Sequence, residues 1–282
     1  MTTDYLFFTA INILAAWSAY IILSAGSLSL ANGAFMAMGA YFSSIMTLNL
    51  GFPLIVATLL AGALTAVVGL ALAFPALRVR GVYFILLTVG ITFIVQTVIQ
   101  NTDRFGGVRG ISGMTGAELW HVLALVVATG LGLAWLSQSH LQRLLDATRE
   151  DDEVAQALGV NTVYLKVITF VMGALLASFA GTLYAHYVIF INPDNFGINL
   201  SLFISLYVVL GGVNNLWGPL VGAVLITLLP EMIRGLAEWR SLVFGGAIVI
   251  LLLVRSEGLL SFRTLTIRAK GRTDARSRQG LT

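Results

Sequence analysis

Cysteine is missing from all 282 residues, which excludes disulfides, thiolate metal sites and thiol catalysis. Charge is scarce too: Asp, Glu, Lys and Arg make up 10% of the chain, against 58% hydrophobic residues. A soluble domain carries about 25% charged residues, so this chain cannot coat itself with water-facing side chains. A mean hydropathy of +0.91 agrees. The apolar residues fall in long uncharged blocks rather than in the alternation of strands. Only helices and closed barrels satisfy their backbone in lipid, and a helical span needs about 20 apolar residues. The expected fold class is therefore all-α: a polytopic transmembrane helical bundle.

The blocks predict spans near Leu6–Ser24, Leu28–Leu48, Pro53–Ala76, Val82–Gln100, Leu119–Ser137, Tyr164–Tyr187, Ile198–Leu210, Trp217–Met232 and Leu242–Val254. That is roughly nine, within a range of about eight to ten. Met1 to Tyr5 has no basic n-region, so the first block reads as a retained helix rather than a cleaved signal. With the C-terminus on the cytoplasmic side, twelve Lys and Arg residues lie inside and four outside; this asymmetry sets the expected orientation. Residues 1–255 read as one membrane domain. Residues 256–282 read as a disordered basic tail that touches anionic headgroups as a stop-transfer anchor.

The spans also lack buried charge. No block holds Asp, Glu or Arg away from its ends, and Lys166 sits in the first turn of one, where it can snorkel. Ion-coupled transporters, pumps and voltage sensors keep ionisable groups at depth, and membrane enzymes need placed acids, bases or ligands. His121, His140 and His186 all fall near span ends and read as interfacial residues. No catalytic or metal-ligating set is predicted. A Gly-x-x-x-x-Gly-Lys-Ser/Thr loop is absent, and the glycine-rich run Gly106–Gly113 has no lysine, so nucleotide chemistry is not built into this chain. If ATP drives it, a separate subunit hydrolyses that ATP.

What is present is small-residue spacing and two helix breaks. Gly173, Ala177 and Gly181 recur every four positions, as do Gly218 and Gly222; such spacing lets helices approach closely in lipid. Asn32-Gly33 interrupts the second block, and Gly211-Gly212 with Asn214-Asn215 interrupts the region before Trp217. Broken helices at membrane depth line cavities or lie buried in protein. Asn32, Gly33, Asn214 and Asn215, with Gln96, are the candidate pathway residues; a loop at the membrane edge is the competing reading of the second break. Asn32 to Gly39-Ala40 and Asn215 to Gly222-Ala223 share one spacing, the trace of an internal repeat.

The loop 141–162 between two spans carries the clearest pattern. Leu141, Leu144, Leu145 and Thr148 share one helical face. After the cluster Arg149–Glu153, a second short helix carries Val154, Ala157 and Leu158 on one side, with Gly159 at the C-cap position. A short helix with an apolar ridge and an acidic rim suits docking into a partner's groove. Helices lying on a bilayer usually carry Lys or Arg on the polar face instead.

At this point the ordered motifs resemble a known family. Leu77-Arg78-Val79-Arg80-Gly81-Val82-Tyr83-Phe84, the Gly106–Gly113 loop, Arg149–Gly159, Ala180–His186, Pro193-Asp194-Asn195-Phe196, Gly211-Gly212 and Leu216-Trp217-Gly218-Pro219 are similar to blocks of the permease subunits of bacterial branched-chain amino acid ABC importers, the LivM-type subunit above all. Two departures stand out: Ala31-Asn32-Gly33-Ala34-Phe35 replaces a G-H-x-x-F element, and Asn214-Asn215 replaces Gly-Ser. The resemblance implies a permease in the bacterial inner membrane that forms half of a pathway. Its partners would be a second related permease subunit, two ATP-binding subunits that hold ATP and Mg, an extracytoplasmic solute-binding protein and membrane lipids, with no nucleic acid. Arg149, Glu150, Asp151, Glu153, Ala155, Leu158 and Gly159 would couple to the ATPase. Arg109 and Asp194, in the outer loops, would meet the binding protein. The cargo it implies is a branched-chain amino acid; relatives also carry urea and short amides. An ion-coupled secondary transporter and a membrane scaffold stand as the other classes.

Overall fold

The computed structural model describes residues 2–114, 116–232 and 245–246. The tail 256–282 and the block Leu242–Val254, apart from Gly245 and Gly246, lie outside the described residues. The described chain is helical almost throughout. Its helices are α1 (Thr2–Ser24), α2 (Asn32–Leu50), α3 (Leu54–Ala76), α4 (Val82–Gln100), α5 (Leu119–Ser137), α6 (His140–Glu150), α7 (Asp152–Ala157), α8 (Thr162–Val188), α9 (Ile198–Gly211) and α10 (Trp217–Met232). Among the described residues, six stretches are long and apolar enough to cross a membrane: those of α1, α3, α4, α5 and α8, and Pro193–Gly211 containing α9. The apolar part of α10, Trp217–Leu229, is shorter.

The second predicted span differs from its expectation in an informative way. Instead of running from Leu28, the helix begins at Asn32, and residues 27–31 are irregular though Leu30 and Ala31 are buried. Irregular backbone inside a bundle needs other partners for its polar groups, and α4 supplies them. The Leu30 amide donates to Thr88 Oγ1 at 3.0 Å, and Thr92 Oγ1 donates to the Leu30 carbonyl at 2.8 Å. A pair of threonines one turn apart on α4 thus satisfies both backbone groups of Leu30 in the irregular approach to α2.

Helix α8 is the axis of the core, packed against α1, α2 and α3. Its small residues allow this. A Cβ at Gly173 would strike the Ile22 side chain and the Ser18 carbonyl of α1, and one at Gly181 would overlap the Met36 carbonyl of α2. From the other side, Gly39 of α2 lies on Ser178, while Gly62 and Gly69 of α3 lie on Phe179 and Ala174. Association in lipid has no hydrophobic drive between helices, so contact at this range has to be gained by close backbone approach. Polar side chains add pins: Thr65 donates to Ser178, and Thr182 donates to the Gly39 carbonyl at 3.2 Å. Helices α9 and α10 form a second close pair, where Gly211, Gly218 and Gly222 meet opposing backbone. Gly39 and Gly222, the matched positions of the suspected repeat, both serve such contacts.

At one end of the bundle the chain forms a small closed cap. β1 (Ile111–Ser112) pairs antiparallel with β2 (Phe190–Ile191), Ile111 opposite Ile191. Single-turn 3-10 helices, Asp103–Phe105, Gly107–Arg109 and Pro193–Phe196, flank the ladder. Gly110 must be glycine here, since its φ is +79° and a Cβ would overlap the Ile191 carbonyl. The glycine-rich run therefore serves a tight turn. At the other end, α6 and α7 project between α5 and α8.

Gly181→Ala should force α8 away from α2 and destabilise the bundle by about 1–3 kcal/mol, read as a lower melting temperature of the detergent-purified chain. Gly132→Ala, whose Cβ would meet nothing within 4 Å, should leave it unchanged.

Candidate functional site

The helix break at Asp151 separates α6 from α7. Its φ of −155° and ψ of 108° are extended, and its carboxylate accepts from the Glu153 and Val154 amides, both at 3.0 Å. Asp151 is thus the N-cap of α7, with Asp152 and Glu153 in the first turn, where the helix dipole favours negative charge. At the far end, Leu158 closes the helix and Gly159 takes φ +87°, a left-handed C-cap conformation that costs a residue with a Cβ. The acidic run and the glycine are the start and stop signals of one short helix.

The two helices use their apolar faces differently. On α6, Leu145 and Thr148 are buried, and Leu145 joins Ala25 and Leu165 in a small separate core. Leu144, expected on the same face, is 40% exposed. On α7 only Ala155 is buried. Val154, Ala157 and Leu158 are exposed, Leu158 by 79%. The ridge predicted for docking is therefore unpaired with anything else in the described residues.

Two polar clamps hold this segment to the spans. Arg149 donates from Nη1 to the Val213 carbonyl at 3.0 Å and from Nη2 to Asn214 Oδ1 at 2.9 Å, with Asp146 at 3.6 Å. It ties the end of α6 to the α9–α10 turn. That turn is held to α1 in its own right, since Trp17 Nε1 donates to the Leu216 carbonyl at 3.2 Å. On the other flank, Lys166 Nζ of α8 meets Asp152 Oδ2 at 2.9 Å, and Gln156 donates to Thr162 Oγ1 at 2.8 Å. Burial would raise the Asp152 carboxyl. The Lys166 ammonium bonded to it, helped by Thr162 and the charges of Lys166 and Arg80, holds it below its ordinary value of 3.8 instead.

The structure brings some sequence candidates together and separates others. Arg149 and Asn214 form one contact, so Arg149 braces the segment from within. Glu150, Glu153 and Gly159 are exposed at its surface, and Asn215 flanks the same turn, half-buried. Gln96 and Asp194 form another contact: Asp194 Oδ1 accepts from Gln96 and Gln100, at 2.9 and 3.0 Å, beside the β1–β2 cap. Exposed Arg109 lies in the same cap, so the two loops 106–118 and 189–196 are joined. Asn32 and Gly33 lie apart from both groups. The Gly33 amide donates to Ser201 Oγ of α9 at 2.9 Å. Asn32 is fully buried, and neither polar atom of its side chain has a hydrogen-bond partner. The five pathway candidates thus occupy three different levels of the bundle.

Sequence reasoning missed Lys166, Gln156, Arg80 and Asp146 as members of the two clamps. The signal for Lys166 was there: a cation in the first turn of a span, following a net-acidic loop.

A largely helical chain with several bilayer-length helices and a two-helix segment projecting from one face defines a multi-pass membrane protein. Residues 1–253 match the family model of the branched-chain amino acid transport system / permease component, and the chain belongs to this family. It is 30% identical over 281 residues to the high-affinity branched-chain amino acid transport system permease protein LivM of Salmonella typhimurium, covering 87% of this chain and 66% of the relative. To LivM of Escherichia coli it is 28% identical over 306 residues, covering 95% and 72%. To LivH of Escherichia coli it is 28% identical over 170 residues, covering 58% and 52%. The chain spans about two thirds of the length of the two LivM relatives. No solved structure matches it.

Asp151→Ala should remove the α7 cap at a cost of about 1 kcal/mol, seen as roughly fivefold faster amide exchange confined to residues 152–158. Asp152 has a depressed folded pKa, so its contribution is fully present above its ordinary value of 3.8 and is lost as pH falls through the lower folded value. Asp152→Asn should therefore lower the melting temperature at neutral pH, and the difference from the parent should shrink on acidification below that value.

Proposed function

We propose that this chain forms half of the translocation pathway of an ATP-binding-cassette importer in a bacterial inner membrane, and that its cargo is a branched-chain amino acid. Two separate subunits bind and hydrolyse ATP with Mg, a second related permease completes the pathway, and an extracytoplasmic binding protein delivers the cargo. One observation carries the reading beyond family membership: α7 offers an exposed apolar ridge with an acidic rim, while the segment behind it is clamped to α8 by Asp152–Lys166 and to the α9–α10 turn by Arg149. A segment free on its outer side and clamped on its inner side can pass a push from a docked ATPase to two sets of spans. The absence of acidic or basic residues at depth in the described spans favours borrowed work over ion coupling.

In this reading the α6–α7 face is cytoplasmic, in keeping with the basic residues that cluster towards it, and the β1–β2 cap with Arg109 and Asp194 receives the binding protein. Asn32, Gly33 and Gln96 belong to the pathway lining. A second cargo class, urea or a short amide, is favoured by one feature. The unpartnered carboxamide of Asn32 could exchange paired hydrogen bonds with an amide solute when the bundle opens.

Reconstituted with its ATP-binding subunits and binding protein, the permease should accumulate leucine against a gradient only when ATP is supplied. Uphill uptake by the chain alone on a sodium or proton gradient overturns the proposal. Leu158→Asp or Gly159→Leu should lower substrate-stimulated ATP hydrolysis about tenfold with unchanged membrane insertion; unaltered stimulation removes α7 from the coupling route. Cysteines placed at Asn32 and Gln96 should change their labelling with nucleotide state.

A further inference from the structure

A cavity of about 440 Å³ lies at the α6–α7 face, where three parts of the chain converge: the link after α1, the α3–α4 link, and α7 with the first turn of α8. Its lining is mixed in chemistry: Leu28, Val82 and Ile85 are apolar, and Arg80, Lys166 and Asp152 are charged. The charged residues are two cations and one anion. Asp152 is committed to Lys166 at 2.9 Å, so one positive charge is left over. It sits on Arg80, which is exposed and, among the described residues, makes no hydrogen bond or ion pair. Apolar residues of the two helices that flank this link are exposed among the described residues: Phe74 of α3 by 63%, and Tyr83 and Leu86 of α4 by 73% and 60%. Gly81, between Arg80 and Val82, has open space around it. The α3–α4 link thus presents a guanidinium and an aliphatic wall side by side at the end of two lipid-length helices.

We infer that this cavity is a binding site for one phospholipid of the adjoining leaflet, with Arg80 holding the phosphodiester and an acyl chain lying along Val82, Ile85 and the outer face of α4. The charge matches, since a phosphodiester carries one negative charge and the cavity one surplus positive. The mixed lining matches because an amphiphile uses apolar and charged residues at once. Free inorganic phosphate would leave the aliphatic residues uncovered. Cationic pockets between membrane helices at the cytoplasmic surface bind headgroups through this combination, and Arg suits phosphate through its forked donors. Asp152 and Lys166 also belong to the clamp behind the coupling segment, so a lipid seated here would brace α7 against α4. The site does not depend on the identity of the cargo.

Native mass spectrometry of the full chain, titrated with dioleoyl phosphatidylglycerol in detergent, tests the assignment. The parent chain should retain one tightly held lipid, and Arg80→Gln should weaken it about fivefold, the worth of one basic side chain at a membrane surface. Arg78→Gln, exposed and outside the cavity lining, should leave it unchanged. Val82→Trp, which enlarges an apolar lining residue and keeps the charge, should weaken it as well, and millimolar inorganic phosphate should not displace it. The inference is overturned if Arg80→Gln holds the lipid as the parent does or if Arg78→Gln weakens it equally. Displacement by inorganic phosphate alone overturns it too, as does loss of co-purifying ATP-binding subunits in Arg80→Gln with lipid retention unchanged. If Arg80→Gln does not fold, Val82→Trp alone decides: undiminished lipid retention overturns the site.

Discussion

Everything in this bundle depends on how closely backbones can approach α8. In water, a helix gains stability by hiding apolar side chains; in lipid that gain is absent, and only packing contacts and hydrogen bonds between helices distinguish the folded bundle from separated helices. Gly39 and Gly181 remove the side chains that would keep α2 and α8 apart, so the carbonyl of Met36 and the backbone of Ser178 become contact surface. Gly173 repeats the arrangement against α1. Once three neighbours are fixed to one helix, the short hydroxyls of Thr65, Ser178 and Thr182 come within reach of partners across helices, which a looser bundle would forbid.

The same closeness lets a broken helix sit inside the bundle. Residues 27–31 run irregularly beside α4 because Thr88 and Thr92 take over the hydrogen bonds that a helix would have supplied. Helix α2 consequently starts deep, with Gly33 bound to Ser201 and the Asn32 side chain left without partners. A buried unpaired carboxamide costs about 1–3 kcal/mol. It sits at the junction of the irregular segment and the helix.

At the projecting end, polarity is arranged as two anchors. Arg149 and Asp152 lie three residues apart on either side of the Asp151 break, yet they reach different elements: the α9–α10 turn and α8. The segment is thereby tethered to both. The cap at the opposite end has its own crosslink in Asp194 with Gln96 and Gln100, which joins the loop after α8 to the end of α4. The two ends of the molecule are thus each closed by a few charge-assisted bonds, while the middle relies on glycine.

Much of this was legible in the sequence because it is local. Long uncharged blocks mark spans, since lipid tolerates nothing else; the Asp151–Gly159 run marks a short helix, since its cap and its left-handed stop are encoded by neighbours. The family itself was legible from ordered motifs. What the sequence could not give is anything set by which helices touch. Arg149 read as an outward contact residue, and only the folded bundle turns it inward to Val213 and Asn214. Leu144 and Leu145 read as one face, and the folded bundle exposes the first and buries the second. Asn32 and Asn214 read as members of one lining, and the tertiary structure puts the first in the core and the second at a surface turn. The sequence alone determined the membrane class, the helices and their caps, because these follow from solvent and from near neighbours in the chain. The tertiary structure decided partners, depth and clamps, because those depend on close approach between segments as much as two hundred residues apart, as in Trp17 with Leu216.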